Sequence, residues 1–195
     1  MGLMKFYPDR VFDGYRFREP GMVLVTDETG LVHDIIPDGE AGEDLLPLRG
    51  ILTPGFINCH CHLELSHLKN VIPPHTGLVE FLCSVVTKRE FPPEKIAEEI
   101  ILAEKELFDN GVVAVGDIGN TADTATVKKG SRIRWQNFVE VLGFTDEKAT
   151  ENFAHYQAVA NSLEAALANA PVLHRTSLVP HAPYSISPKT FDLIN

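Results

Sequence analysis

The residues best suited to chemistry lie together in the run LTPGFINCHCHLELSHL, residues 52–68. The run holds His60, His62 and His67, Cys59 and Cys61, and Glu64. Side chains on a strand alternate faces with period two, so His60 and His62 project together, with Cβ atoms about 7 Å apart and rings able to converge on one ion. A histidine pair of this kind is either a set of divalent-metal ligands or a pair of hydrogen-bonded core residues. The same alternation sends Cys59 and Cys61 to the opposite face, where they are expected as small buried hydrophobes and not as further ligands. Glu64 lies just past the strand and is either a substrate contact near the ion or a solvated side chain. His67 and His75, in the loop that follows, are expected at the surface, as are His33, His155 and His174. Asp117, after the apolar run GVVAVG, either faces the site or caps a turn.

These residues need a frame that delivers them to one place. Thr53, Pro54 and Gly55 form a turn that launches an apolar strand over 57–60, and that strand carries the histidines at its C-terminal end. In parallel barrels the C-terminal end of a strand is where chemistry sits. Pro92 and Pro93 open a helix over 92–110 with Ile96, Ile100, Ala103 and Leu107 on one face, and Gly111 closes it. The continuous apolar run 112–115 predicts a strand buried on both faces. Strands are also predicted over 133–142 and 175–180. Between them, a helix over 151–170 carries Phe153, Tyr156, Ala160, Leu163 and Leu167 along one side. Strands alternating with helices predict a parallel α/β sheet. Upstream, MVLVTDETGLVHDIIP alternates apolar and polar residues around 27–30, which predicts a hairpin, and residues 38–44 are expected as loop. The chain thus divides into a β-rich module over 1–53 and an α/β part over 54–195.

Composition narrows the partners. The chain has 195 residues, 44% hydrophobic and 23% charged, as is ordinary for a soluble globular protein. Its formal charge of −10 repels nucleic-acid phosphate and anionic lipid, so neither nucleic acid nor a membrane is expected as a partner, and a small-molecule substrate is. No segment approaches the ~18 apolar residues of a membrane span, and MGLMKFYPDR lacks the charged and apolar regions of a secretion signal. Cys59, Cys61 and Cys83 make no disulfide framework, so reduced thiols in a cytoplasmic protein are expected.

Three segments carry a resemblance that spans nearly the whole chain. LTPGFINCHCHLELSHL is similar to the signature of the metal-dependent amidohydrolase superfamily, in its deaminase and chlorohydrolase-like branch. GVVAVGDIGN, residues 111–120, resembles the second barrel strand of that branch, and LVPHAPYSIS, residues 178–187, resembles the segment after its fourth. The implied fold class is α/β. It is a TIM (β/α)8 barrel of which about the first four β/α units are present, preceded by a small β-sandwich-like module. By this resemblance His60 and His62 match the two first-strand metal ligands, His181 matches a substrate-contacting histidine, and Glu64 joins it as a substrate-binding candidate. The family's catalytic residues lie on later strands and are expected beyond Asn195. They are a histidine ligand and a proton-shuttling glutamate on the fifth strand, a histidine on the sixth and an aspartate on the eighth. Other members bridge two metals with a fourth-strand lysine; here that strand reads RTSLVP and Lys189 lies well past it. One divalent metal ion is therefore implied, zinc first and iron as the alternative.

The implied reaction is hydrolytic deamination of an amino group on an N-heterocycle or nucleoside by metal-activated water. HLELSHL and HAPYS are similar to the adenosylhomocysteine and aminodeoxyfutalosine deaminases. The alternatives are a cyclic amidase or chlorohydrolase on the same scaffold, and an inactive truncated fragment. The terminal SPKTFDLIN begins a helix that the chain's end interrupts, so the sequence looks cut off. A full barrel takes about 250 residues, and four strands alone leave open edges. The chain by itself is expected to be poorly soluble or to form a homo-oligomer through the open edge; a monodisperse monomer in sedimentation would contradict this.

Overall fold

The computed structural model describes residues 2–195, and the chain divides into two units, Met1–Gly55 and Phe56–Asn195. In the first unit, β1 (Leu3–Val11), β2 (Met22–Asp27), β3 (Val32–Pro37) and β4 (Leu45–Leu52) form one sheet in the order β3-β2-β1-β4. β2 and β3 make the expected hairpin. At its turn the Gly30 amide donates to the Asp27 carbonyl at 3.1 Å, and the Asp27 side chain accepts from the Thr29 and Leu31 amides. A short carboxylate that folds back on its own turn is what favours aspartate there. β4 pairs with β1 in parallel, and Val23 and Val25 pack with Ala41 of α1 (Asp38–Ala41), one helical turn in place of the expected loop. A sandwich requires two facing sheets. Among the described residues this unit has one mixed sheet, which corrects the sandwich-like expectation.

The second unit carries the candidate site. β5 (Phe56–Cys61), β6 (Val112–Gly119), β7 (Arg134–Val141) and β8 (His174–Pro180) are parallel and neighbour one another in chain order. A 3-10 helix (Leu63–Leu68), α2 (Leu78–Lys88) and α3 (Pro93–Asp109) connect β5 to β6. α4 (Ala125–Gly130) leads to β7, α5 (Ala149–Leu167) to β8, and α6 (Pro188–Ile194) follows. The 3-10 helix and the start of α2 occupy the stretch before Phe81 expected as loop. α3 turns Ile96, Ile100, Ala103 and Leu107 onto Val115, Ile133 and Trp135, while α5 turns Ala160 and Leu163 onto Val139. Both helical faces are those the periodicity predicts.

Sheet alternation then divides the strands. Val115, Trp135 and Val139 are buried on the helix side, whereas Ile57, Ala114, Gln136 and Phe138 line an open groove of about 390 Å³. The run 112–115 is therefore not buried on both faces: α3 and α5 both cover one side, Ala114 lines the groove on the other, and Val113 is 46% exposed.

A buried polar network runs through the helix-side layer. Lys128 of α4 donates to Asp117 Oδ2 at 2.5 Å and to Asn137 Oδ1 at 2.7 Å, and its ammonium lies 5.1 Å from the centre of the Trp135 ring. Asp117 Oδ1 accepts the Leu63 amide at 2.8 Å, one residue past His62. Asn137 passes the connection on, donating to the Arg175 carbonyl at 3.1 Å. Asp117 thus faces away from the open groove and caps the chain that leaves β5, the capping alternative realised over a long sequence separation. The ion pair is almost fully desolvated, so removing one partner leaves an uncompensated buried charge. Lys128→Met is expected to lower stability to urea by about 3–5 kcal/mol, and Asp117→Asn combined with Lys128→Met to lose less. An equal loss in both would show that the stranded charge is not the cause.

Candidate metal and substrate site

β5 delivers His60 and His62 to the C-terminal end of the parallel sheet, with ring centres 5.1 Å apart and ring planes at 72°. Two imidazoles on one tetrahedral zinc, with Zn–N distances of about 2.0–2.1 Å, place their ring centres about 5 Å apart. The pair therefore has the separation that a shared ion requires. Among the described residues no group of three or more His, Cys, Asp or Glu is placed to hold a metal. The fit is that of two ligands from a larger set.

The local backbone differs from a plain alternating strand. β5 shifts register against β6 between Asn58 and Cys61, so that three steps on β5 match two on β6, from Val115 to Asp117. Such a bulge re-aims the side chains at it. Cys61 packs on the helix side against the cluster around Leu63 and Val115; burial first, and then the Asp117 carboxylate, push its thiol up to about 12. Cys59 instead is exposed and lines the open groove, which corrects the expectation that both cysteines pack behind the histidines. Gly116 lets β6 approach β5 closely at this point, since a Cβ there would lie 3.0 Å from the Cys59 carbonyl oxygen.

Glu64 is buried at 6% exposure, which removes the solvated alternative. Its Oε2 accepts from the Asn120 amide at 3.0 Å and from the Thr121 amide and hydroxyl at 2.9 Å each, while the Arg89 guanidinium stands 3.9 Å from Oε1. Gly119 leaves the space for it: a Cβ there would lie 2.9 Å from the same oxygen. His67 is also buried, with Nε2 at 3.0 Å from the Arg89 carbonyl and its ring edge-on to Phe91. His174 has both ring nitrogens shut off from solvent without a partner, and burial, then the Lys128 charge, lower its pKa. These two histidines correct the surface expectation, whereas His33, His75 and His155 are exposed as expected.

His181 follows β8 and so stands at the same end of the sheet as His60 and His62. Its amide donates to the Val141 carbonyl at 3.3 Å and its Nδ1 lies 2.6 Å from Glu140 Oε1. The loop after it is tied to the end of β7: the Gly143 amide donates to Ser185 and the Ser187 amide donates to Gly143. The Ser185 hydroxyl closes the turn onto Ala182, and Tyr184 points out at 78% exposure. Asn120 Nδ2 donates to the Glu140 carbonyl at 2.8 Å, which joins the Glu64 loop to the strand that presents Glu140. Neither Glu140 nor Lys128 stands out in the sequence. For Glu140 the available cue is a lone carboxylate within the apolar strand NFVEVLG; such a residue is rarely buried unless paired. For Lys128 there is no local cue. The thiolate is the reactive form of cysteine, so brief iodoacetamide treatment of the folded chain at pH 8 is expected to label exposed Cys59 and Cys83 and to spare Cys61, as peptide mass spectrometry would show.

Comparison with known proteins agrees with this arrangement. The model of the amidohydrolase family matches residues 51–194. A 5-methylthioadenosine/S-adenosylhomocysteine deaminase from Natronomonas pharaonis is 32% identical, over 83% of this chain and 41% of its own length. The crystal structure of Helicobacter pylori aminofutalosine deaminase in complex with methylthio-coformycin superposes with a TM-score of 0.73 at 21% identity, over 98% of this chain and 47% of that one. Atrazine chlorohydrolase from Arthrobacter aurescens TC1, complexed with zinc, gives 0.67 at 19% identity, over 98% of this chain and 49% of that one. The chain spans about half the length of the proteins it matches, or somewhat less. Since the family model covers most of its residues, the chain belongs to the amidohydrolase family.

Proposed function

We propose that the second unit forms the first four β/α units of a (β/α)8 barrel and contributes two metal ligands and a substrate-holding histidine to a deaminase of an N-heterocycle. The substrate class is an adenine nucleoside. The observation that carries this reading is the 5.1 Å separation of the His60 and His62 rings at the C-terminal end of a parallel strand. A divalent ion held there, zinc or else iron, supplies the acidified water that hydrolysis of an aromatic amino group requires. By the family resemblance, the other ligands and the proton-transferring carboxylate lie on later strands of such a barrel.

The residues of this chain bind and orient. His181 contacts the substrate from the end of β8. Glu64, with its carboxylate committed to Asn120 and Thr121, serves the substrate through the loop it holds. Beside His62, a cleft of about 630 Å³ is lined by Leu65, Leu68, Ile72, Leu78 and Phe81, of a size suited to a small molecule, and receives an apolar substituent. The acidic chain disfavours nucleic acid as partner, and among the described residues no helix is long and apolar enough to cross a membrane. A cytoplasmic location fits the three free thiols.

The test is ammonia release from adenosine and its 5′-thioether derivatives by the full-length, zinc-loaded protein. Release is expected in the wild type and its loss in His60→Ala and His62→Ala. Chloride from a chlorotriazine, or ring opening of a cyclic amide without ammonia, would assign the chain to the alternative chemistry. No turnover together with loss of zinc on dialysis would mark an inert fragment.

A further inference from the structure

Glu140 is the penultimate residue of β7 and only 8% exposed. Its backbone is fixed from two sides, since β7 pairs with both β6 and β8, and its carbonyl also accepts from Asn120 Nδ2. One carboxylate oxygen lies 2.6 Å from Nδ1 of His181. The carboxylate of Asp192 lines the same groove as His181. On α5 the Tyr156 phenol is held above its ordinary pKa by burial first and then by the Glu140 charge, so it stays neutral, and Arg89 and Glu64 act on it more weakly. An ionised carboxylate can only accept hydrogen bonds, so the shared proton sits on Nδ1. A neutral imidazole has one N–H, so its Nε2 then carries a bare lone pair. The His181 side chain is 36% exposed and lines a groove of about 500 Å³ with Pro180, Pro183, Ile186 and Phe191.

We propose that Glu140 is a positioning residue that holds His181 as the Nδ1–H tautomer and thereby presents Nε2 to the ligand as a hydrogen-bond acceptor. The group that His181 recognises is therefore a donor. On a nucleoside whose exocyclic amino group is consumed by the reaction, that donor is a sugar hydroxyl. This rests on the reading of His181 as a substrate contact and sharpens it into a specificity. A ligand lacking the hydroxyl forgoes this hydrogen bond, and a site built to bond a substrate hydroxyl discriminates against the analogue that lacks it.

The test is a long-range ¹H–¹⁵N correlation spectrum of the labelled full-length, zinc-loaded protein at pH 7.5, with His181 assigned through its loss in His181→Gln. A protonated Nδ1 and a bare Nε2 are expected. Glu140→Ala is expected to return His181 to the Nε2–H form that solvated histidine prefers, and Glu140→Gln, whose amide oxygen still accepts, to restore the Nδ1–H form. An Nε2–H tautomer in the wild type, protons on both nitrogens, or an unchanged tautomer in Glu140→Ala would overturn the proposal. The wild-type spectrum decides by itself should Glu140→Ala fail to fold. Adenosine is then expected to shift the Nε2 resonance, with 2′,3′-dideoxyadenosine binding at least about tenfold more weakly. Equal shifts and affinities would overturn the hydroxyl assignment. If the tautomer is as expected and neither nucleoside moves it, the substrate class of the preceding section fails while the role of Glu140 stands.

Discussion

Asp117 is a carboxylate with 4% of its surface exposed, hydrogen-bonded on both oxygens. Such a group persists inside a fold only where a cation and further donors replace its water. Lys128 and the Leu63 amide provide that replacement, and much else follows from the need. Leu63 comes directly after His62, so the path by which the chain leaves β5 is set from behind by Asp117. Lys128 must come from α4, a six-residue helix too short to be stable on its own. The position of α4 is thus coupled to the histidine pair through one buried charge.

At the C-terminal end of the sheet, side chains join the backbone bonds in fixing position. Glu64 holds the loop after β6, Asn120 in that loop holds the Glu140 carbonyl, and the Glu140 side chain holds His181. Each link ends on backbone or on a ring that has few other choices. Groups that must meet a ligand in one geometry are best held by partners whose own rotamers are fixed. Here the holding is done by carboxylates that are themselves out of solvent, where a hydrogen bond is electrostatically stronger than in water.

The legible part of this fold is the part with local periodicity. The faces of α3 and α5 repeat with the helical period, and the histidine pair with the strand period, so Ile100, Leu163, His60 and His62 could be placed from sequence alone. What could not be placed depends on residues distant in the chain. Cys59 shares the open face with Ile57, whereas a bulge between Asn58 and Cys61 sends Cys61 to the helix side, and nothing within β5 announces that shift. His67 is buried by Arg89 and Phe91, and His174 lies in the layer that contains Lys128. In the first unit, hairpin residues are identifiable locally, but the parallel docking of β4 on β1, which makes one sheet, is a long-range pairing.

The neighbour-by-neighbour order of the second sheet also bears on how the chain acquires its shape. Each strand pairs with the next one in sequence, so the sheet can grow one β/α unit at a time as the polypeptide leaves the ribosome. Asp117 emerges before Lys128, which follows eleven residues later. In that interval the carboxylate has no counter-ion, and closing the helix layer over it is unfavourable. Closing the walls before α4 exists would bury that carboxylate alone, so the ion pair that secures the finished site favours an order in which α4 is in place first.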